Sequence, residues 1–235
     1  MASQPIYQFY AELEGYTPKI WRRFQVAGNI TVARLGYIVM TLYEMQANHL
    51  LAIEHEWTCD MITRIEKIIH RYAIPDEDGG REDDEAADAT EYKLTQLGLK
   101  DTRFSKTERL TVLYDFGDGW EVNLKLEKVL NDPELPGKEL PRVMEGKGFG
   151  IIEDCGGPGG LAELAAAFKS KAGENYESLR GWLGVDELDL TRFALNDMNF
   201  RLKKLPRIFT DIYEYGLYPT QRSIDLLERK YLRKE

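Results

Sequence analysis

Three carboxylates are gathered around one predicted turn, in the segment from Tyr114 to Glu121, namely Asp115, Asp118 and Glu121. Carboxylates that lie close together can bind a hard cation, or can act as the acid and the base of a reaction. A structural role is the alternative: Asp118 would shape the turn, Trp120 would fill the core, and Asp115 would accept backbone hydrogen bonds. Spacing alone leaves both interpretations open.

A second acidic pair, Glu153 and Asp154, precedes the glycine-rich run from Cys155 to Gly160 and a predicted helix. Exposed N–H groups at a helix start can bind an anion, although the spacing matches neither a P-loop nor a dinucleotide fingerprint. A turn that lets the chain approach the sheet closely is the alternative. The neighbouring acids disfavour a Cys155 thiolate, so a nucleophilic role is not expected. We expect this loop and the 114–121 hairpin to border a common cleft.

The histidines His49, His55 and His70 lack the spacing of two metal ligands on one helix. His49 is a candidate for a metal or proton-transfer role, and a hydrogen-bonded histidine is the alternative. Arg22 is expected to pair with one of the acidic turns or to form an ordinary salt bridge. The candidate cleft therefore contains His49, Asp115, Asp118, Glu121, Glu153, Asp154 and Arg22, and a divalent metal there would be bound by His49, Asp115, Asp118 and Asp154.

Hydrophobic alternation predicts hairpins that would position these groups. Residues 6–13 and 20–26 alternate on either side of a turn, and residues 110–126 alternate around Gly117-Asp118-Gly119, a strong hairpin signal. A further edge strand is expected near 139–145. Helical spacing predicts helices over 31–45, 60–72, 161–171, 174–183, 189–204 and 220–234. Strands grouped in hairpins, with helices between and after them, predict an α+β fold with helices packed on an antiparallel sheet.

Composition limits the functional classes. The chain has 235 residues and a net charge of −9, which disfavours general nucleic-acid binding. Lys and Arg nevertheless outnumber Asp and Glu over residues 201–234, so this basic tail could contact a protein or a nucleic acid. Residues 76–91 are strongly acidic and are expected to form a mobile loop. Two lone cysteines and the lack of a long apolar run predict a cytoplasmic protein without a membrane segment.

Taken together, these landmarks resemble the plasmid pRiA4b ORF-3-like family over about residues 5–204. The resemblance rests on Ile20-Trp21-Arg22-Arg23, His49, the 114–121 hairpin, Pro141-Arg142, Glu153 to Pro158 and Trp182-Leu183. It implies a compact α+β domain over residues 1–204 with a C-terminal helical extension over 205–235. It implies no known activity, although members occur on mobile elements and some carry a transposon-passenger or resolvase-like label. Leu51 and Gly150 stand where members often have a histidine and a cysteine.

Three hypotheses follow, and the first is favoured. An uncharacterised binding or accessory module associated with mobile genetic elements predicts a shallow groove without clustered carboxylates. A divalent-metal-dependent hydrolase or nuclease predicts that Asp115, Asp118, Asp154 and His49 converge within a few ångströms. A resolvase-like accessory of DNA recombination predicts DNA binding through the basic tail. Whether the chain is an enzyme is left open by the sequence.

Overall fold

The computed structural model describes residues 4–60, 65–74, 85–99, 108–132, 135 and 137–233. Within these residues the chain forms one mixed sheet, whose strands are Ile6–Leu13 (β1), Trp21–Ala27 (β2), Leu51–Asp60 (β3), Ile65–Ala73 (β4), Ala87–Asp88 (β5), Glu108–Tyr114 (β6), Trp120–Leu130 (β7) and Arg142–Lys147 (β8). The helices are Val32–Leu42 (α1), Gly157–Ser170 (α2), Glu174–Leu183 (α3), Leu195–Leu202 (α4), Leu205–Tyr215 (α5) and Gln221–Leu227 (α6). The α+β class predicted from the sequence is confirmed.

The strands lie in the order β5-β4-β3-β6-β7-β1-β2-β8, and every neighbouring pair is antiparallel except β4 and β5. Both predicted hairpins are present, as β1–β2 and β6–β7. Alternate residues of β1, such as Phe9 and Ala11, are fully buried, while Tyr10 and Glu12 on the other face are partly exposed. β8 is an edge strand, as expected for a segment that follows Pro141.

Helix α1 covers the buried face of the sheet and begins at the predicted cap. The hydroxyl of Thr31 accepts a hydrogen bond from the backbone N–H of Arg34 at 3.1 Å. Ten of its eleven residues are buried, because α1 contacts β3 on one side and helices α4 and α5 on the other. The chain leaves α1 through residues 43–50, which contain neither helix nor strand and lead directly into β3.

The helix predicted over residues 60–72 is wrong. Residues 65–73 form strand β4, which pairs with β3 so that Ile53 lies opposite Tyr72. The apolar residues here fit a helical stripe as well as a strand. Ile65, Ile68 and Ile69 are β-branched, and β3 offers an antiparallel partner, so pairing across the sheet decides the outcome. Met61 lies outside the described residues.

The acidic segment 76–91 is described only at its end. Ala87–Asp88 form the short strand β5 beside β4, and the flanking Ala86 and Ala89 are buried. Residues 76–84 lie outside the described residues, so mobility there stays a prediction. None of the helices in the described part of the chain has the length and apolar character that a bilayer crossing requires.

The C-terminal residues pack onto the same core as the sheet. Pro206 stands in the first turn of α5, where its missing N–H costs no hydrogen bond, so the predicted break starts a new helix. Leu205 and Phe209 of α5 are fully buried, and Leu227 of α6 is 8% exposed. All three belong to the main hydrophobic cluster.

Candidate functional site

The β6–β7 hairpin and the glycine-rich loop lie side by side. The carboxylate of Asp118, at the hairpin turn, accepts a hydrogen bond from the backbone N–H of Gly156 at 3.1 Å. Gly157 has a φ of +70°, and a Cβ at this position would lie 2.2 Å from the carbonyl oxygen of Asp118. Glycine is therefore required for the loop to approach the hairpin this closely.

His49 lies at the centre of an acidic cluster in this region. Its Nε2 atom is 3.2 Å from Oδ1 of Asp154, 3.4 Å from Oδ2 of Asp115 and 3.5 Å from Oε2 of Glu153. Three possible metal ligands lie within 4.8 Å of one another, one atom each from His49, Asp115 and Asp154. The structure thus brings together four residues that come from three separate stretches of the chain.

Asp115 is held in place by its own turn. Its φ of +52° is unusual for a residue with a side chain, although aspartate tolerates this conformation better than most. Oδ1 accepts hydrogen bonds from the backbone N–H groups of Gly117 at 3.1 Å and Asp118 at 3.3 Å. The backbone bonds expected of the structural alternative are therefore present on one oxygen, and the other oxygen, Oδ2, faces His49.

Glu153 presents one bonded and one unbonded carboxylate oxygen. Oε1 accepts hydrogen bonds from the backbone N–H of Gln46 at 2.6 Å and from the hydroxyl of Tyr114 at 2.8 Å. Oε2 is buried without a hydrogen bond, and its side chain is only 9% exposed. Burial raises the pKa of Glu153. Burial of a carboxylate oxygen without a hydrogen bond costs free energy of folding. The orientation of Oε2 of Glu153 toward His49 therefore needs an explanation.

The distances from Nε2 of His49 to the three acids suit the ligands of one metal ion as well as hydrogen bonds or ion pairs. Two atoms that each lie about 2.1 Å from a tetrahedral ion are about 3.4 Å apart. The three oxygens lie 3.2–3.5 Å from Nε2 of His49. Nε2 of His49 is within hydrogen-bond distance of Asp154, but a ring nitrogen carries at most one proton, so this bond leaves the buried Oε2 of Glu153 without a hydrogen bond.

The other predicted cleft residues lie outside this cluster. Asp118 bonds to Gly156 at the start of α2, so its carboxylate fills the place proposed for an anion. Glu121 is exposed on β7. Burial, followed by the charge of Asp118, raises the pKa of the Cys155 thiol to about 11, which agrees with the expectation that it is not a nucleophile.

Arg22 does not face the acidic turns. It is fully buried, and its five N–H bonds go to the carbonyl oxygens of Trp21, Leu42, Lys147, Gly148 and Phe149. Its guanidinium also lies over the ring of Phe193, 4.4 Å from the centroid. Arg22 therefore fixes residues 147–149, which lead toward Glu153, instead of taking part in the cleft.

A groove of about 450 Å³ opens in front of the cluster. Its lining includes His49, Asp115, Phe116 and Tyr213. Tyr213 comes from α5, and its hydroxyl donates a hydrogen bond to the carbonyl oxygen of His49. No motif in the sequence points to Tyr213. Its only sequence signal is a helical phase with Leu205 and Phe209, which marks a core position and not a functional one.

The comparisons with known proteins agree with this fold. The model of the family described as "Plasmid pRiA4b ORF-3-like protein" matches residues 5–199. "Uncharacterized protein y4hQ" of Sinorhizobium fredii (strain NBRC 101917 / NGR234) is 28% identical over 187 residues, which cover 80% of this chain and 85% of the relative. The crystal structure of the protein of unknown function MM3350 from Methanosarcina mazei Go1 has a TM-score of 0.63 and 28% identity, and the match covers 83% of this chain and 98% of that chain.

Proposed function

Because this chain belongs to the plasmid pRiA4b ORF-3-like family, whose relatives named above are proteins of unknown function, we propose its function from the geometry of the pocket. The chain binds one divalent transition-metal ion through His49, Asp115 and Asp154. The observation that carries this proposal is the position of one carboxylate oxygen each of Asp115 and Asp154, 3.4 and 3.2 Å from Nε2 of His49, which are ligand-to-ligand distances.

A mixed set of one imidazole and two carboxylates suits Mn²⁺ or Zn²⁺. Imidazole favours zinc and related transition metals, whereas carboxylates favour manganese and magnesium. The unbonded Oε2 of Glu153 supports the same conclusion, since a buried carboxylate oxygen is stabilised by a cation next to it. Asp118, included in the ligand set predicted from the sequence, is excluded from the proposed set because its carboxylate is bonded to Gly156.

The same arrangement supports hydrolysis of a ligand in the groove. A Zn²⁺ ion held by His49, Asp115 and Asp154 would act as a Lewis acid and would lower the pKa of a coordinated water to about 7. Oε2 of Glu153 lies 3.5 Å from Nε2 of His49 and would be the group that accepts the proton from such a water. The groove in front of His49 and Asp115 leaves room for a substrate. Metal-dependent hydrolysis is thus the catalytic activity that these residues best support.

The binding proposal is tested by calorimetry. The full chain is first freed of metal by a chelator and is then titrated with Mn²⁺ and, separately, with Zn²⁺. We expect one ion per chain and loss of the binding heat in Asp115→Asn and His49→Ala. Glu121→Gln is the matched control, because it removes one carboxylate from the same hairpin outside the cluster. The proposal fails if the wild-type chain releases no heat, or if Asp115→Asn binds as tightly as the wild type.

Hydrolysis has its own test. An activated phosphodiester and an activated ester are supplied to the Mn²⁺-loaded and Zn²⁺-loaded chain. We expect metal-dependent turnover that is lost in Glu153→Gln while this variant still binds the ion. Binding without turnover by the wild-type chain would contradict the hydrolase proposal and leave a metal-binding module.

A partner contacted through residues 201–234, and an association with mobile genetic elements, stay predictions. Two cations of this stretch, Arg201 and Arg229, are already paired with Glu44 inside the protein. Leu205 belongs to the core, so deletion of residues 205–235 would damage the fold.

The DNA-accessory hypothesis is therefore tested with exposed cations. Arg207 and Arg222 are both exposed. This hypothesis predicts DNA binding that weakens steeply with salt and is lost when both residues are replaced by Glu. Binding that survives these replacements, or no binding by the wild-type chain, would contradict a role for these two cations.

A further inference from the structure

His49 is carried by a loop that has no regular structure of its own. Residues 43–50, which we call the His49 loop, connect α1 to β3. Glu44 and Ala47 both have a φ of +66°, a conformation that is costly for residues with a side chain. A loop of this kind keeps one conformation only when its surroundings hold it.

Part of the support comes from the family domain itself. The carboxylate of Glu153 accepts from the N–H of Gln46, and the hydroxyl of Tyr114 accepts from the N–H of Asn48 at 3.2 Å. The carbonyl of Leu50 accepts from the N–H of Asp115 at 3.1 Å. These bonds fix the loop against the two segments that supply the other cluster residues.

Further support comes from the C-terminal residues, beyond residue 199 where the family match ends. The Tyr213 hydroxyl donates to the carbonyl oxygen of His49 itself. The ring of Tyr213 stacks on Tyr37 of α1 with a centroid separation of 5.7 Å and an interplanar angle of 7°. Burial, followed by the charge of Glu153, raises the pKa of Tyr213, so the hydroxyl keeps its proton.

A second contact from the C-terminal residues holds the other end of the loop. The guanidinium of Arg229 pairs with the carboxylate of Glu44, which also pairs with Arg201 of α4. The Glu44 side chain is 6% exposed and that of Arg201 is 1% exposed, so this is an internal ion cluster. Arg229 also pairs with Asp197, which gives the guanidinium two carboxylate partners.

We propose that residues 205–233 act as a brace for the His49 loop, with Tyr213 and Arg229 as positioning residues for the metal site. The brace holds the loop at His49 through Tyr213 and at Glu44 through Arg229. The C-terminal extension is then a structural part of the site and not a separate appendage. This inference rests on the proposed metal site for its effect on binding, but its effect on the position of His49 exists without metal.

The test uses the full chain with Tyr213→Phe, which keeps the ring stacked on Tyr37 and removes only the hydroxyl. Tyr176→Phe is the matched control, since the Tyr176 hydroxyl also donates to a backbone carbonyl, that of Asp186, far along the chain from the loop. Arg229→Gln is the second variant. The readouts are the imidazole ¹H–¹⁵N signals of His49 in the metal-free protein and the Kd for Mn²⁺.

We expect Tyr213→Phe and Arg229→Gln to shift the His49 ring signals and to weaken Mn²⁺ binding about tenfold, the usual effect of removing a group that orients a ligand. Tyr176→Phe should change neither. Unchanged His49 signals in Tyr213→Phe, or equal shifts in Tyr176→Phe, would overturn the brace. If the wild-type chain binds no Mn²⁺, the metal proposal fails and the His49 signals alone decide the brace.

Discussion

Replacement of Asp115 by Asn should make the metal-free protein more stable and the metal-loaded protein relatively less stable. Asn keeps an oxygen that can accept the backbone hydrogen bonds of Gly117 and Asp118 and tolerates the positive φ of this position. It removes one negative charge from a cluster that contains Asp154 and Glu153. Like charges gathered in a binding site repel one another when the ligand is absent. Such a site therefore lowers the stability of the ligand-free protein while it serves binding.

The magnitude follows from the geometry of one pair. Ligand oxygens of Asp115 and Asp154 lie within 4.8 Å of each other. Two unit charges at that distance repel by about 1 kcal/mol in bulk water and about 3.5 kcal/mol at an effective dielectric constant of 20. The Asp154 side chain is 66% exposed, so solvent screening favours the lower value. We therefore expect a gain of about 1 kcal/mol in the free energy of unfolding.

Urea denaturation with and without Mn²⁺ measures this gain. An ion present at 100 times its Kd adds about 2.7 kcal/mol to the wild-type chain and little to Asp115→Asn, so the order of stability reverses. Glu121→Gln should show no reversal. The reasoning is refuted if Asp115→Asn is less stable than the wild type without metal, or if Mn²⁺ stabilises both equally.

Three further changes have defined outcomes. Arg22→Lys can supply at most three of the five hydrogen bonds that Arg22 donates. Urea denaturation should therefore show a free energy of unfolding that is lower by about 3 kcal/mol. A decrease below about 0.5 kcal/mol would contradict the role assigned to Arg22. Gly157→Ala should force the glycine-rich loop away from Asp118 and weaken Mn²⁺ binding about tenfold. Gly159→Ala should leave Mn²⁺ binding unchanged, because a Cβ at this position meets nothing within 4 Å. Equal Mn²⁺ affinities of the two variants would count against the requirement that the loop lie this close to the hairpin. Because burial raises the pKa of Glu153, this carboxyl favours the folded state at acid pH and opposes it as the pH rises. Glu153→Gln should therefore gain thermal stability relative to the metal-free wild type as the pH rises above 4.5, and a difference that does not change with pH would argue against a raised pKa.

Local chemistry made the hairpins predictable. The Gly117-Asp118-Gly119 turn and the alternation on either side of it act within one short segment, and the β6–β7 pairing follows from them. Strand β4 could not be predicted in the same way. Its apolar spacing fits two structures, and the choice depends on β3, which lies next to it in space.

The burial of Arg22 has a signal in the sequence. Arg22 alternates in phase with Ile20, Phe24 and Val26, all of which are buried, so its side chain lies on the core face. A cation at such a position has to find internal acceptors, and backbone carbonyls supply them. Spacing alone could not distinguish this role from an ion pair with an acidic turn.

The composition of the site could be predicted in part. The two acidic segments are evident in the sequence, and His49 is indicated largely by the family resemblance. Their meeting depends on three distant parts of the chain, which no local pattern specifies. Tyr213 could not be found, because its role depends on the packing of α5 against α1.

Anomalous X-ray diffraction from crystals of the chain grown with Mn²⁺ tests the central claim most directly. We predict one anomalous peak about 2.0–2.3 Å from Nε2 of His49 and from a carboxylate oxygen each of Asp115 and Asp154. A cluster without a peak, in which His49 is hydrogen-bonded to one of the acids, would contradict the proposed metal site.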